Sequence, residues 1–413
     1  MKNVLVLSGL NLFQNSSVCL ANSAYIKGFL SNGYNTTVIM PECDDADKDV
    51  SMKLPQGARY FEYARTSSFE KRIAKSVKVD AFAKEGANNW SLYCKRLLRK
   101  SLSKWKQRFL KMIRRGSFYK NSTYFINRTI DNSRDYCDRE YDLIISLSSP
   151  VSTHYLAEQI IKKTNVKYGK WCQLWEDPWY YDLYTEKKPS IFKEEGRLLS
   201  KADVIEYVSP LTCFYQKKYF EEFANKMKWQ FLPCYSEIQY IDRPIGKCVK
   251  LGYFGEYVST VRNIEPLAQA VHNLDGFELL ACGNTDLDMK KYNHVITYGR
   301  VSLDKVDKYQ EESDILVNIS NLRGGQIPGK VYQYAGTTKP ILFLLDGSEE
   351  EKKILLQNFG KYNRYIFCEN TVDSITSCLL DFNSHLSNVC NRPVSAFSPK
   401  EIVSNIINDL YEE

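Results

Sequence analysis

"KCVKLGYFGEYVSTVRNIEPLAQA" occupies residues 247–270, and the order of its parts decides the fold. An apolar run closes on Gly252 and Gly255, a polar turn carries Arg262, and a helical pattern beginning NIEPLAQAVHNL follows at once. Strand, glycine turn and helix in that order make half of a βαβ unit, which is completed by a parallel neighbouring strand. Candidate neighbours are FELLACG (277–283), HVITYG (294–299), DILVNIS (314–320), PILFLL (340–345) and RYIFCE (364–369), with LDKVDKYQEE as a further helical run. The pattern predicts a parallel sheet wrapped by helices.

The first half shows the same alternation. An apolar strand at residues 4–7 meets the polar turn SGLNLFQNSS, and the helical stretch VCLANSAYIKGFLSNG stops on Gly33 before the strand TTVIMP. Glycine is the common residue just past a helix end. Further strands are expected at 141–148, 168–175 and 202–209, with a helix opening near Ser152. Residues 232–247 combine prolines and mixed charge with no period, and read as a linker. The expected division is therefore 1–235 and 236–395, with a terminal helix at 396–413 packing back on the first domain. The fold class is α/β, two Rossmann-like doubly wound domains facing across a cleft. In such sheets, ligands bind at the carboxyl ends of the strands.

Length and composition agree. A chain of 413 residues suits two domains of roughly 200 residues each, and 44% apolar with 25% charged residues is ordinary globular composition. The 12 cysteines include no CxxC pair, and with four histidines no zinc-type cluster is readable, so reduced thiols and a cytoplasmic location are expected. No secretory leader and no apolar run near the length of a membrane span are visible. The net charge of +7 is unevenly placed: residues 86–130 hold 12 Lys/Arg and no acid, so the rest is net acidic.

"GGQIPGKVYQYAGTTKPIL" (324–342) sets an isolated Lys330 at the start of a short helical run that stops at Gly336. A helix N-terminus already attracts anions, and a lysine added there suits a ligand with more than one negative charge. Three glycine turns, at Gly252/Gly255, at Gly283 and at 324–336, fall at strand ends and so at one edge of the sheet. With Arg262 after the first and Lys330 at the last, that edge suits a pyrophosphate. The competing reading is that both cations are solvated surface charges.

GYFGEYVSTVRNIEPLAQA, ELLACGN, ITYGRVSLDKVDKYQEESDILVNIS and PGKVYQYAGTTKPIL, taken in order, resemble the C-terminal half of retaining family-4 glycosyltransferases of the GT-B fold, over roughly residues 248–346. The resemblance implies a second domain that binds a nucleotide-sugar and a first that binds the acceptor. It implies that Gly255 and Arg262, with Gly283, meet the diphosphate and that Gly299, Arg300 and Val301 flank the base. Lys330, Val331, Gln333 and Tyr334 would flank ribose and phosphates. The family's glutamate pair is not intact, because Gly325 and Gln333 stand at its two positions, and Glu256 replaces a frequent basic residue. Glutamine can still accept from a ribose hydroxyl through its amide oxygen.

In the first half, Gly9 ends the first strand and is a candidate to lie beside the donor phosphates; a plain βα turn is the alternative. His154 stands in the first turn expected after SLSSPVS and is a candidate acceptor-side catalytic group. WCQLWEDPWYYDLY (171–184) puts aromatic faces beside carboxylates, a mixture that suits sugar hydroxyls, and its Asp-Pro-Trp turn resembles one in polysaccharide-assembly glycosyltransferases. Glu176 or Asp177 would deprotonate or orient the acceptor hydroxyl. The alternative is a loop whose aromatics fill a core.

Residues 95–120 read as one amphipathic helix. Leu98, Leu102, Trp105, Phe109, Met112 and Ile113 form a stripe, and Lys95, Arg96, Lys104, Arg108 and Lys111 are among the basic residues opposite it. Docking on an anionic membrane surface through these residues with Trp105 and Phe109 is one reading, packing on its own domain another. Nucleic acid is the competing partner, but no RNA-binding aromatic motif or helix-turn-helix spacing accompanies the charge, and none is expected to bind. The expected function is transfer of a sugar from a UDP- or GDP-sugar to a glycan or lipid-linked acceptor in bacterial surface polysaccharide synthesis, peripheral at the inner membrane face. No cofactor or metal is expected, since basic side chains neutralise the leaving diphosphate. A non-catalytic binding subunit and a sugar-nucleotide epimerase are the alternatives.

Overall fold

A computed structural model describes residues 2–43, 45–63, 136, 138–183, 187–235, 237–240 and 246–411. The basic segment, with Lys95, Arg96, Lys104, Trp105, Arg108, Phe109 and Lys111, lies outside the described residues.

Two parallel sheets organise the chain. The first has the order β3-β2-β1-β4-β5-β6-β7, built from β1 (Asn3–Ser8), β2 (Asn35–Pro41), β3 (Arg59–Tyr63), β4 (Glu140–Ser148), β5 (Lys167–Trp175), β6 (Val204–Tyr207) and β7 (Met227–Trp229). The second has the order β10-β9-β8-β11-β12-β13, from β8 (Val249–Phe254), β9 (Phe277–Cys282), β10 (Val295–Tyr298), β11 (Ile315–Ile319), β12 (Ile341–Leu345) and β13 (Tyr365–Glu369). Each order reverses beside its first strand, as in doubly wound folds. The central strands β1, β11 and β12 are almost entirely buried, which explains their continuous apolar runs.

Compactness divides the chain into residues 1–15 with 34–173, and residues 16–33 with 174–413. In the first unit Leu5, Leu7, Ile144, Leu156, Ile160 and Trp171 share one core with helix α2 (Ser152–Lys163). Ser146 and His154 join the same buried set.

The second unit includes helix α1 (Ser17–Ser31), α3 (Pro189–Leu199), α4 (Pro210–Tyr219), α5 (Glu265–His272), α6 (Leu303–Glu312), α7 (Lys330–Ala335), α8 (Glu349–Phe359), α9 (Val372–Leu380), α10 (Phe382–Ser387) and α11 (Pro399–Tyr411). Its sheet packs α5 and α9 on one face through Leu251, Tyr253, Leu267, Val317, Leu344 and Ile375. A cluster of Phe231, Tyr332, Phe359 and Phe397 ties the segment just after β7 to α7, α8 and the C-terminal segment.

The sheets change over between Trp229 and Val249, at the expected linker, yet the compact units part inside β5. The terminal helix α11 lies against α1: Asn32 Nδ2 donates to the Lys400 carbonyl at 2.9 Å, and a Cβ on Gly28 would overlap Pro399 and Val403. Gly28 is the residue that lets these helices approach.

Candidate functional site: the carboxyl edge of the second sheet

β8 ends at Phe254, and Gly255 follows with φ +148°. Its amide donates to the Cys282 carbonyl at 2.6 Å, so the β8 and β9 turns are joined. A Cβ on Gly255 would overlap Nζ and Cε of Lys330, and a Cβ on Gly283 would overlap the Gly255 carbonyl. Both glycines are required by close approach, Gly255 to the ammonium and Gly283 to the Gly255 backbone.

Lys330 is half-buried, its Nζ 5.6 Å from the centre of the Tyr253 ring. Among the described residues its side chain makes no ion pair. Burial strips water from the ammonium and the Arg262 charge repels it, so its pKa falls to about 7, Glu256 opposing weakly. Two cations near one another without a carboxylate clamp form a site that an anion would stabilise.

Arg262 is fixed by a network. Its Nε and Nη2 donate to Asn321 Oδ1 at 3.2 and 2.8 Å, and its Nη1 donates to the Glu256 carbonyl at 3.0 Å and to the Tyr253 hydroxyl at 3.4 Å. Glu256, exposed, accepts from Asn284 Nδ2 at 3.2 Å. Asn321 was not singled out from sequence; its position directly past the end of β11 was the available signal.

α7 spans only six residues. Charge at this edge therefore comes mainly from the two side chains, the expected short helix adding little dipole. Val331 and Tyr334 are buried, and the Tyr334 hydroxyl accepts from the Phe254 amide at 3.2 Å, so both support the edge from beneath. Gln333 is held by the segment after β7: its Oε1 accepts from the Tyr235 amide at 2.8 Å and its Nε2 donates to the Pro233 carbonyl at 3.3 Å. Gly299, Arg300 and Val301 follow β10, whose Tyr298 carbonyl accepts from Gly283 at 3.0 Å. Gly299 and Arg300 are exposed, and nothing near Gly299 demands a glycine.

The segment between β11 and α7 meets the loop after β5. Gln326 Nε2 donates to Asp177 Oδ1 at 2.5 Å and to Asp182 Oδ2 at 3.0 Å. Gly325 cannot carry a side chain, because a Cβ would stand 2.8 Å from Thr212 Cα and 2.9 Å from its nitrogen. Its carbonyl accepts from Ser209 Oγ at 2.8 Å and Thr212 Oγ1 at 2.7 Å. A glutamate at 325 is thus excluded by packing. Behind the loop, buried Glu195 accepts from the amides of Trp179 at 3.1 Å and Tyr180 at 2.7 Å, and desolvation raises its pKa to about 7. Glu176 has its Oε1 buried. Glu351 was also missed; Ser348-x-x-Glu351 is a capping-box spacing, and its Oε1 accepts from the Gly324 amide at 3.0 Å.

In the first unit, Gly9 is a packing glycine: a Cβ there would overlap Thr153 Oγ1 and crowd Pro150. His154 is fully buried, its Nδ1 2.8 Å from the Ser146 hydroxyl, which also accepts from Trp171 Nε1 at 2.9 Å. Desolvation lowers its pKa to about 3, so the ring is neutral. At this position the structure presents a buried, hydrogen-bonded histidine packed beneath the sheet.

No family model matches the sequence, and no curated protein matches it. Solved structures do match in fold, and that fold is GT-B, two parallel-sheet α/β domains. The crystal structure of Anabaena HepE in complex with UDP and glucose aligns at TM-score 0.55 and 10% identity, covering 99% of this chain and 97% of that one. The crystal structure of TarM aligns at TM-score 0.61 and 9% identity, covering 100% and 99%. A crystal structure of a UDP-N-acetylglucosamine 2-epimerase aligns at TM-score 0.51 and 7% identity, covering 98% and 94%.

Proposed function

We propose that the chain is a glycosyltransferase that takes a sugar from a nucleotide-diphosphate donor, UDP- or GDP-linked, and passes it to a glycan or lipid-linked acceptor. The observation that carries this reading is the half-buried Lys330 ammonium lodged against Gly255 with Arg262 beside it. As the glycosidic bond breaks, negative charge grows on the leaving diphosphate, and fixed cations stabilise that charge more in the transition state than in the ground state. Asp177, held at the mouth of the loop after β5, orients the acceptor hydroxyl and takes its proton. Retention of configuration, a cation-based mechanism without metal, and peripheral attachment through the basic segment 95–120 at the cytoplasmic membrane face belong to the same proposal.

Two structures of similar fold were solved with UDP bound, those of HepE and of an S. aureus TarM variant. That supports a uridine donor here. The fold is shared with an epimerase, and Gly325 has no room for a carboxylate, so rearrangement of the sugar nucleotide is the second reading. Incubation with a panel of nucleotide-sugars, with and without lipid-linked glycan acceptors, decides between them. Transfer predicts acceptor-dependent release of a nucleoside diphosphate; an altered sugar nucleotide without acceptor means epimerisation, and the absence of both products rejects both readings.

A further inference from the structure

We propose that Cys368 and Cys378 are a redox-active thiol pair, closed to a disulfide by a hydroperoxide, and that closure weakens the anion site at Arg262; the second half rests on the nucleotide-binding reading above. Strand alternation turns Ile366 and Cys368 of β13 to the face of the sheet that α9 covers. Cys378 lies on α9 inside the core of that face, and Cys368 packs on the same core. One turn earlier on the helix, Ser374 Oγ accepts from the Glu369 amide at 3.2 Å, so the side of α9 that carries residues 374 and 378 meets the strand end. The two thiols are in side-chain hydrogen-bonding contact there. Cys378 is buried, whereas Cys368 is partly exposed and opens the pair to solvent.

The contact also prepares the chemistry. The Cys368 S–H donates to the Cys378 sulfur, which lowers the Cys378 pKa against the opposing effect of burial and raises that of Cys368. The thiolate, not the thiol, is the nucleophile. The Cys378 thiolate attacks one oxygen of hydrogen peroxide, the O–O bond breaks, and the departing hydroxide takes a proton to leave as water. Cys378 is then a sulfenic acid. The Cys368 sulfur attacks it, the S–S bond forms, and hydroxide leaves with the Cys368 proton as a second water. Two thiols lose two electrons, and one peroxide is reduced. Two residues after Cys368, Asn370 Nδ2 donates to the Asn263 carbonyl and to Asp346 Oδ2, both at 2.8 Å, and its amide donates to the Leu345 carbonyl at 2.9 Å. Asn263 directly follows Arg262. Closing the pair draws this strand end toward α9, and the Asn370 bond that holds the Arg262 turn is distorted with it.

The test uses the full-length protein, reduced, desalted and treated with hydrogen peroxide. Alkylation and mass spectrometry follow, after cleavage at glutamate and aspartate, which places residues 368, 378 and 390 on separate peptides. A link between Cys368 and Cys378 with loss of two hydrogens is expected. It should persist in Cys390→Ser and be absent in Cys368→Ala and Cys378→Ala. Calorimetry with UDP then compares reduced and oxidised wild type. Kd should rise about threefold or more on oxidation, return with dithiothreitol, and not respond to peroxide in Cys368→Ala. Both thiols still open to alkylation at peroxide levels that oxidise the exposed Cys390, or a link that runs to Cys390, overturns the pair. A mapped link between Cys368 and Cys378 with unchanged Kd overturns its control of the Arg262 turn. Should the reduced wild type bind no UDP, the nucleotide reading fails separately, and the pair stands or falls on the mapped link.

Discussion

Lys330 Nζ occupies the space where a Cβ on Gly255 would lie. Strand end and helix start therefore determine one another: the ammonium reaches the sheet edge because residue 255 has no side chain. Gly255→Ala should push Lys330 outward and strain the backbone at φ +148°. Affinity for UDP or GDP is expected to fall about tenfold or more by calorimetry, with the far-UV spectrum unchanged. Unaltered affinity would show that the ammonium is not part of the anion site.

The lowered pKa of Lys330, about 7, gives two pH effects of defined sign. Between that value and the ordinary lysine range, the unfolded chain holds a proton that the folded chain lacks, so this group makes stability rise with pH there. Lys330→Met removes a partly desolvated charge. It should raise Tm at pH 6, leave it nearly unchanged above pH 10, and weaken nucleotide binding about a hundredfold. A Tm lowered at pH 6 would mean that the charge is paired and stabilising.

Anion binding restores the proton to Lys330. UDP binding at pH 8 should take up a fraction of a proton, read from the dependence of the calorimetric enthalpy on the buffer's ionisation heat. The uptake should vanish below pH 6, where the amine is already charged, and in Lys330→Met. Proton release at pH 8 would contradict the assignment.

Arg364 is a stability determinant of the same region. It is buried at the start of β13, where Nη2 donates to the carbonyls of Thr337 at 2.8 Å and Lys339 at 2.6 Å, just past α7. Arg364→Ala strands those carbonyls and opens a void, at a cost of about 2–4 kcal/mol by denaturant unfolding. A loss below about 0.5 kcal/mol would show that water replaces the guanidinium without penalty.

The basic segment offers a separate test. Replacing Lys95, Arg96, Lys104, Arg108 and Lys111 with glutamine should abolish co-sedimentation with anionic liposomes while leaving UDP affinity intact. At about 1 kcal/mol per basic residue near such a surface, five changes exceed what one apolar face retains. Unchanged co-sedimentation would remove the membrane from the proposal.

Most of the sheet framework was readable because central parallel strands are buried on both faces and leave continuous apolar runs, as in LVNI before Ser320 and ILFLL after Pro340. The edge strands β3 and β7 were missed: RYFEY and MKW are short and half-exposed, with no apolar run to betray them. That Gly255, Gly283, Arg262 and Lys330 gather at one sheet edge was legible because strand-end glycines and isolated cations mark themselves. The partners of Gln333 and Tyr334, the Tyr235 and Phe254 amides, were not legible, since a sequence position beside Lys330 does not tell which face of a helix a side chain takes. Asn321, Gln326 and Glu195 act through partners 59, 149 and 15 residues away. Only the folded chain reveals such pairings.

A structure of the protein with UDP or GDP bound tests the central claim most directly. The diphosphate should lie at the carboxyl edge of the second sheet, its oxygens within hydrogen-bonding distance of Lys330 Nζ and the Arg262 guanidinium. A nucleotide bound elsewhere, with both side chains left in solvent, would contradict it.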